Sequence, residues 1–139
     1  GYICNLRITN LVSLYNDHFG VPTAPLPKLA GTCLLTFTDP TIKDKADDRT
    51  NMTVFGDTKM QTFSPFQLVN TGAAAYFDGD GDYCAVNQDE FDTSFQFGNL
   101  SFTVEGWIYA QSNSTMGIID TRPSASATDF NISITNARL

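Results

Sequence analysis

The sequence predicts an all-β chain of short antiparallel strands, and three observations carry that prediction. Apolar runs of four to nine residues recur along the 139 residues, punctuated by Gly, Asp, Asn and Pro, which is the rhythm of a sandwich or barrel. Aromatic residues reach 12%, with eleven Phe, while charged residues are only 17% and Thr, Ser and Asn are abundant. That balance suits sheets whose outer faces are polar but uncharged. No helical period persists for three turns anywhere in the chain.

The elements follow in order. Tyr2 to Thr9 (YICNLRIT) is a short β-type run rich in Ile, Leu and Tyr. LVSLYNDHFGVPTAPLPKLAG comes next, where Pro22, Pro25 and Pro27 forbid helix and central strand alike, so this stretch is an extended connector. Strand signals resume at Thr32 to Phe37 (TCLLTF), before a charged loop, TDPTIKDKADDRTN. Further strands are expected at Met52 to Phe55, Gln61 to Phe63, Ala74 to Phe77 and Tyr83 to Val86. The last three are expected at Phe102 to Ala110, Met116 to Asp120 and Phe130 to Thr135. SFTVEGWIYA alternates most clearly: Phe102, Val104, Gly106 and Ile108 share one face, and Thr103, Glu105, Trp107 and Tyr109 the other. The first face is apolar and is expected to meet the core. The second sets two aromatics beside a carboxylate, an arrangement able to stack a sugar ring; the plainer reading packs both rings under a loop.

Length and charge bound the function. The chain is one domain's worth of residues, enough to bury a core. A formal charge of −7 and a pI near 4.3 argue against nucleic acid and against anionic membranes, since little here can displace counterions from phosphates. No apolar run approaches the roughly 20 residues that span a bilayer. Residue 1 is Gly and no signal peptide is visible, so the sequence reads as a piece or processed product of something longer. Cys4, Cys33 and Cys84 each lie in a strand-like run without a CxxC pattern, and read as buried thiols in a chain assembled in a reducing cytoplasm. His18 is the single histidine and lies in the connector, and no G-x-S-x-G occurs, which leaves nucleophilic catalysis without a constellation. The N-x-[ST] sequons at Asn51, Asn99, Asn113 and Asn131 read as chance matches in so Ser-, Thr- and Asn-rich a chain.

YFDGDGDYCAV concentrates the remaining chemistry, with Asp78, Asp80 and Asp82 on alternate positions. An EF-hand needs Gly at its sixth position, and counting from Asp78 that place is Tyr83, with Asp89 at the twelfth. What remains is a tight hairpin in which Gly79 and Gly81 supply positive φ, or a calcium site relieving the repulsion of three carboxylates. The hairpin is the favoured reading.

YFDGDGDYCAV, FQFGNLSFTVEGWIYA and GIIDTR together resemble a concanavalin A-like, laminin-G-type jelly roll. That family pattern runs from an aromatic strand through FDG-x-x-DY and F-x-FG to F-T-[VI]-E-x-W. An apolar strand ending near Arg follows, here Ile118, Ile119, Asp120 and Arg122. GYICNLRITNLVSLYNDHFGVPTAPLP resembles the closing strand of such a module and the linker after it, a linker type found in large structural proteins of marine bacteriophages. The resemblance implies a two-sheet antiparallel jelly-roll sandwich, here incomplete. Residues 1–20 would be the closing strand of a preceding module, 21–30 a Pro-rich linker, and 31–139 the first part of the next module. A half-built jelly roll exposes unpaired edges, so the rest of a longer chain or neighbouring subunits would complete it. Alternatively the first strand folds back against Thr32 to Phe37.

The function so implied is a virion structural protein, a module of a tail, fibre or capsid-surface appendage assembled in the host cytoplasm alongside other virion subunits. The alternative is a carbohydrate-binding adhesin meeting host surface polysaccharide through Glu105, Trp107 and Tyr109 or through the Asp78–Asp82 rim. Domains of this type often hold calcium at the rim of the sandwich, which is the one cofactor the resemblance suggests. Related glucanases place paired carboxylates on one strand, whereas here the strand offers Glu105 alone, and Asp120 and Asp129 lie on other segments, so no enzyme activity is expected.

Overall fold

The structure, a computed structural model, describes residues 1–46, 52–66, 73–86, 95, 97–121 and 130–135. Among them are nine strands and no helix: β1 (Tyr2–Asn10), β2 (Thr32–Thr36), β3 (Met52–Phe55), β4 (Lys59–Gln61), β5 (Ala74–Tyr76), β6 (Tyr83–Val86), β7 (Phe102–Tyr109), β8 (Met116–Asp120) and β9 (Asn131–Ile134). Every ladder is antiparallel, so the all-β class stands. Arg122, Asp129, Asp89 and the sequon at Asn51 lie outside the described residues.

The chain divides into two compact units, Gly1–Tyr109 and Ala110–Leu139. In the first, β1 is the middle of a five-stranded sheet. β7 pairs along one of its edges, from Tyr2↔Tyr109 to Asn10↔Phe102. The other edge is shared, with β5 opposite Tyr2 and Ile3 and β2 opposite Leu6 to Thr9. β4 lies outside β5, and β3 with β6 forms a separate two-stranded sheet. The second unit's described strands, β8 and β9, pair from Met116↔Ile134 to Asp120↔Asn131.

An irregularity in its pairing with β7 lies where β1 changes neighbours along its other edge. Between Cys4↔Trp107 and Arg7↔Glu105, β1 spends two residues, Asn5 and Leu6, where β7 has only Gly106. This is a β-bulge, and Asn5 takes it with φ of +53°, a conformation Asn tolerates better than most side chains. Gly106 faces the bulge: a Cβ there would meet the Asn5 carbonyl and the Leu6 Cα at 3.4 Å. Asn5 is itself buried and fully engaged. Its backbone amide donates to the Phe37 carbonyl, its side-chain oxygen accepts from the Leu26 amide at 2.8 Å, and its side-chain nitrogen donates to Cys4 Sγ.

The core gathers around this strand. All five residues of β2 are buried, as befits a strand covered on both faces. The outer edge of β2 is closed by the loop beyond it, since Leu35 donates its amide to Asp44 Oδ1 and accepts at its carbonyl from the Lys45 amide. Cys4, Phe66 and Ala74 form a cluster on which Tyr2 and Trp107 pack. The three cysteines form no disulfide; Cys4 and Cys33 are buried and Cys84 is half-buried. Desolvation pushes the Cys84 thiol up to about 11, which keeps it protonated and inert near neutrality.

Asn5→Ala removes the acceptor for the Leu26 amide and puts an unsuited residue at positive φ. It should destabilise the unit by about 2 kcal/mol in urea unfolding. Asn5→Gly restores only the backbone freedom and should fall between wild type and Asn5→Ala.

Candidate functional site

The Glu105, Trp107 and Tyr109 side chains share the β7 face expected from alternation, but that face is the better-covered one. The bulge brings Tyr2, Cys4, Arg7 and Thr9 of β1 opposite Tyr109, Trp107, Glu105 and Thr103. Arg7 and Glu105 form an ion pair at 2.5 Å, with side chains only 3% and 14% exposed. Arg7 Nε also donates to Glu105 Oε1 at 2.8 Å, and its Nη1 donates to the Pro27 carbonyl. The Tyr15 hydroxyl donates to Glu105 Oε2 at 2.5 Å. The hydrogen bond to Glu105 raises the Tyr15 hydroxyl above its ordinary value, helped by desolvation.

The connector therefore lies across the polar half of this face. Besides Tyr15 and Pro27, the Leu14 amide donates to Thr103 Oγ1, which in turn donates to the Val12 carbonyl. The other half is aromatic. Trp107 meets Phe66 edge-on at 4.8 Å, and Tyr109 joins a cluster with Tyr2 and Phe63 at centroid separations of 6.2 and 5.1 Å. Tyr109, at the end of this face, is 52% exposed, while on the opposite face, the one expected to meet the core, Ile108 is 41% and Phe102 39% exposed. The physical reason is neutralisation: with Arg7 beside it, Glu105 can be buried, and the connector rather than a second apolar layer covers it. Of the three, then, Glu105 holds strands together, Trp107 packs, and Tyr109 offers a ring to solvent.

The aspartates are arranged by a different pairing. β3 and β6 pair from Met52↔Val86 to Phe55↔Tyr83, and the Phe55 and Tyr83 rings stack at 4.2 Å. This brings the turn at Gly56 and Asp57 against the segment Asp78–Asp82, so that carboxylate oxygens of Asp57, Asp78 and Asp82 lie within 4.8 Å of one another. Asp80 is not in the group. Asp82 Oδ1 accepts from the Asp57 amide at 2.7 Å and Oδ2 from the Asp78 amide at 2.8 Å, while Asp78 Oδ1 accepts from the Asp80 amide. The amide of Asp78, followed by that of Asp57, holds the Asp82 carboxyl below the usual carboxylate range. Gly79 and Gly81 take φ of +92° and +78° in this turn. These carboxylates offer oxygen ligands of the type calcium takes, and they also already fasten two turns together.

Sequence reasoning missed four participants: Arg7, Tyr15, Asn5 and Asp57. Arg7 lies in a run buried at every position from Cys4 to Thr9, and its partner is known only once β1 is set beside β7. Asp57 joins the aspartates through a pairing between segments far apart in sequence. Compared with protein-family models, with curated proteins and with solved structures, the chain matches none.

Glu105→Ala leaves the Arg7 guanidinium buried without its counter-charge and should cost about 3–5 kcal/mol of stability by chemical denaturation. Adding Arg7→Met to that variant should recover a large part of the loss, a coupling readable as a double-mutant cycle. For the aspartate cluster, melting curves should not shift when millimolar calcium is added, because turn amides already occupy Asp82. In the same series the lowered Asp82 carboxyl contributes stability that is present above the unfolded value of about 3.9 and is lost as pH falls below it. Asp82→Asn should therefore flatten the acid limb of the melting temperature.

Proposed function

We propose that this chain is a structural module of a bacteriophage appendage, a tail, fibre or capsid-surface protein, built as a two-sheet jelly roll of the concanavalin A-like, laminin-G type. Its role is assembly and display rather than catalysis. Support comes from the FDG-x-x-DY and F-T-V-E-x-W motifs and from the antiparallel all-β architecture. The observation that carries the reading is the edge of the main sheet. β7 is eight residues long, pairs with β1 along one side, and within its unit meets no described strand along the other. A long edge strand with exposed Ile108 is the kind of surface that takes a further strand.

Glycan contact through Glu105, Trp107 and Tyr109 is the weaker reading. A sugar hydroxyl approaching Glu105 would have to displace Arg7 or Tyr15, and the Trp107 ring meets Phe66. Hydrolysis is weaker still, because β7 supplies one carboxylate and that carboxylate neutralises Arg7.

Peptide mass spectrometry of purified virus particles, prepared from lysates of the host that carries the gene, tests the proposal. The chain should appear at a copy number comparable with known structural subunits. Recovery only from the soluble cellular fraction would overturn it.

A further inference from the structure

We propose that β1 is exchanged between copies of this chain, so that Tyr2–Asn10 of one copy fills the place between β7 and the β2–β5 edge of a second. The inference rests on the assembly reading above, and names both the partner and the element passed to it.

Three observations carry it. First, β1 is central in the sheet yet separated from β2, the next described strand, by the connector of residues 11–31. Without an occupant, β7 loses its ladder partner and β2 and β5 lose the strand they share, so each copy needs one such strand from some source.

Second, closing β1 onto β2 within one chain does not require the connector's length. The Asn10 amide donates to the Gly31 carbonyl at 2.8 Å, so the two ends of the connector touch. Antiparallel strands in that relation are commonly joined by two residues.

Third, the anchors of the connector fall into two groups with an untied stretch between. Val12, Leu14 and Tyr15 are held by Thr103 and Glu105 of β7, whereas Leu26 and Pro27 are held by Asn5 and Arg7 of β1. From residue 16 to 25 every position is exposed except Pro22 and Pro25, which are half-buried. The hydrogen bond in that stretch is local, from the His18 amide to Asp17, and Phe19 stacks on Tyr15. A segment of this length reaches about 35 Å when extended, and its prolines favour an extended path.

A crossing placed at residues 16–25 preserves both groups of anchors. The donor's Val12–Tyr15 travel with its β1 onto the acceptor's β7. The acceptor's own Leu26 and Pro27 then meet the donor's Asn5 and Arg7. Each hydrogen bond of β1 is remade with an identical partner, and only the path of the exposed segment changes. That conservation of contacts is why strand exchange is a low-cost route to association between identical chains.

Ile3 and Ile108 are direct cross-strand partners and provide the test. Chains carrying only Ile3→Cys and chains carrying only Ile108→Cys are unfolded, mixed, refolded at high concentration and oxidised. Exchange predicts an interchain disulfide in the mixture, absent from either variant alone and mapped by mass spectrometry to positions 3 and 108. An oligomer in which the doubly substituted chain forms that bond only within itself overturns the proposal. Native mass spectrometry of wild-type chain, half of it labelled with nitrogen-15, needs no substitution: mixed-isotope oligomers are expected, and a monomer up to the highest soluble concentration sinks the idea. A chain found in virus particles yet shown to keep β1 in cis refutes exchange and leaves the assembly role intact.

Discussion

The Arg7–Glu105 pair is the interaction on which the main sheet depends. Taking a guanidinium and a carboxylate out of water costs several kcal/mol for each ion, and the attraction between them offsets this only with good geometry and further hydrogen bonds. Here both conditions hold. Arg7 uses Nε and Nη2 on one carboxylate oxygen and Nη1 on the Pro27 carbonyl, while the second carboxylate oxygen receives the Tyr15 hydroxyl. Four chain segments therefore meet at one buried charge pair: β1, β7 and both ends of the connector. Such a pair is sensitive to register. Sliding β1 by one residue against β7 would turn Arg7 to the opposite face and leave Glu105 buried alone, so the pair fixes register more firmly than apolar contacts would.

The bulge at Asn5 and Leu6 is what makes that register compatible with the rest of the strand. Without it, Cys4 and Arg7 would point to opposite faces, since they are an odd number of residues apart. With it, both face the same way, and a single surface carries the aromatic cluster around Tyr2 and Tyr109 at one end and the charge pair at the other. The bulge also marks where β1 changes partners. β5 is opposite Tyr2 and Ile3, β2 is opposite Leu6 onward, and the Asn5 amide reaches Phe37 just past the end of β2. Phe37 also takes positive φ, +56°, so both strands bend at the point where they part.

Much of this architecture is legible in the sequence, and the rest fails for a definite reason. Strand positions were readable because the signals are local: Gly, Pro, Asp and Asn interrupt apolar runs, and eight of the nine expected segments overlap the observed strands closely. β4 is the one that moves, to Lys59–Gln61 from an expected Gln61 to Phe63, because its place is set by pairing with β5 rather than by its own residues. The face assignment of β7 inverted for a related reason. Alternation identifies two faces but not which one is covered, and an apolar side was the natural choice. Burial of Glu105 follows from Arg7, almost a hundred residues earlier, and no periodicity within β7 announces it. The aspartates behave alike: Gly79 and Gly81 mark the turn, but Asp57 enters the group through β3–β6 pairing.

The same separation in sequence shapes how the sheet forms. β7, the longest partner of β1, follows it in sequence with five other described strands between them. Contacts of that range are slow to form, because the loop between them must be closed before pairing rewards the closure. Until β7 is present, β1 can hold β2 and β5 along one edge, but Arg7 lacks the carboxylate that justifies its burial. A strand in that condition carries an unpaired edge and an exposed half-site, and it recognises any β7 with Glu105 in register. Whether that β7 belongs to the same chain would be decided by which one arrives first, and in an assembly of the kind proposed above the local concentration of the others would be high. The buried pair that fixes register within one chain would select the correct strand between chains by the same chemistry.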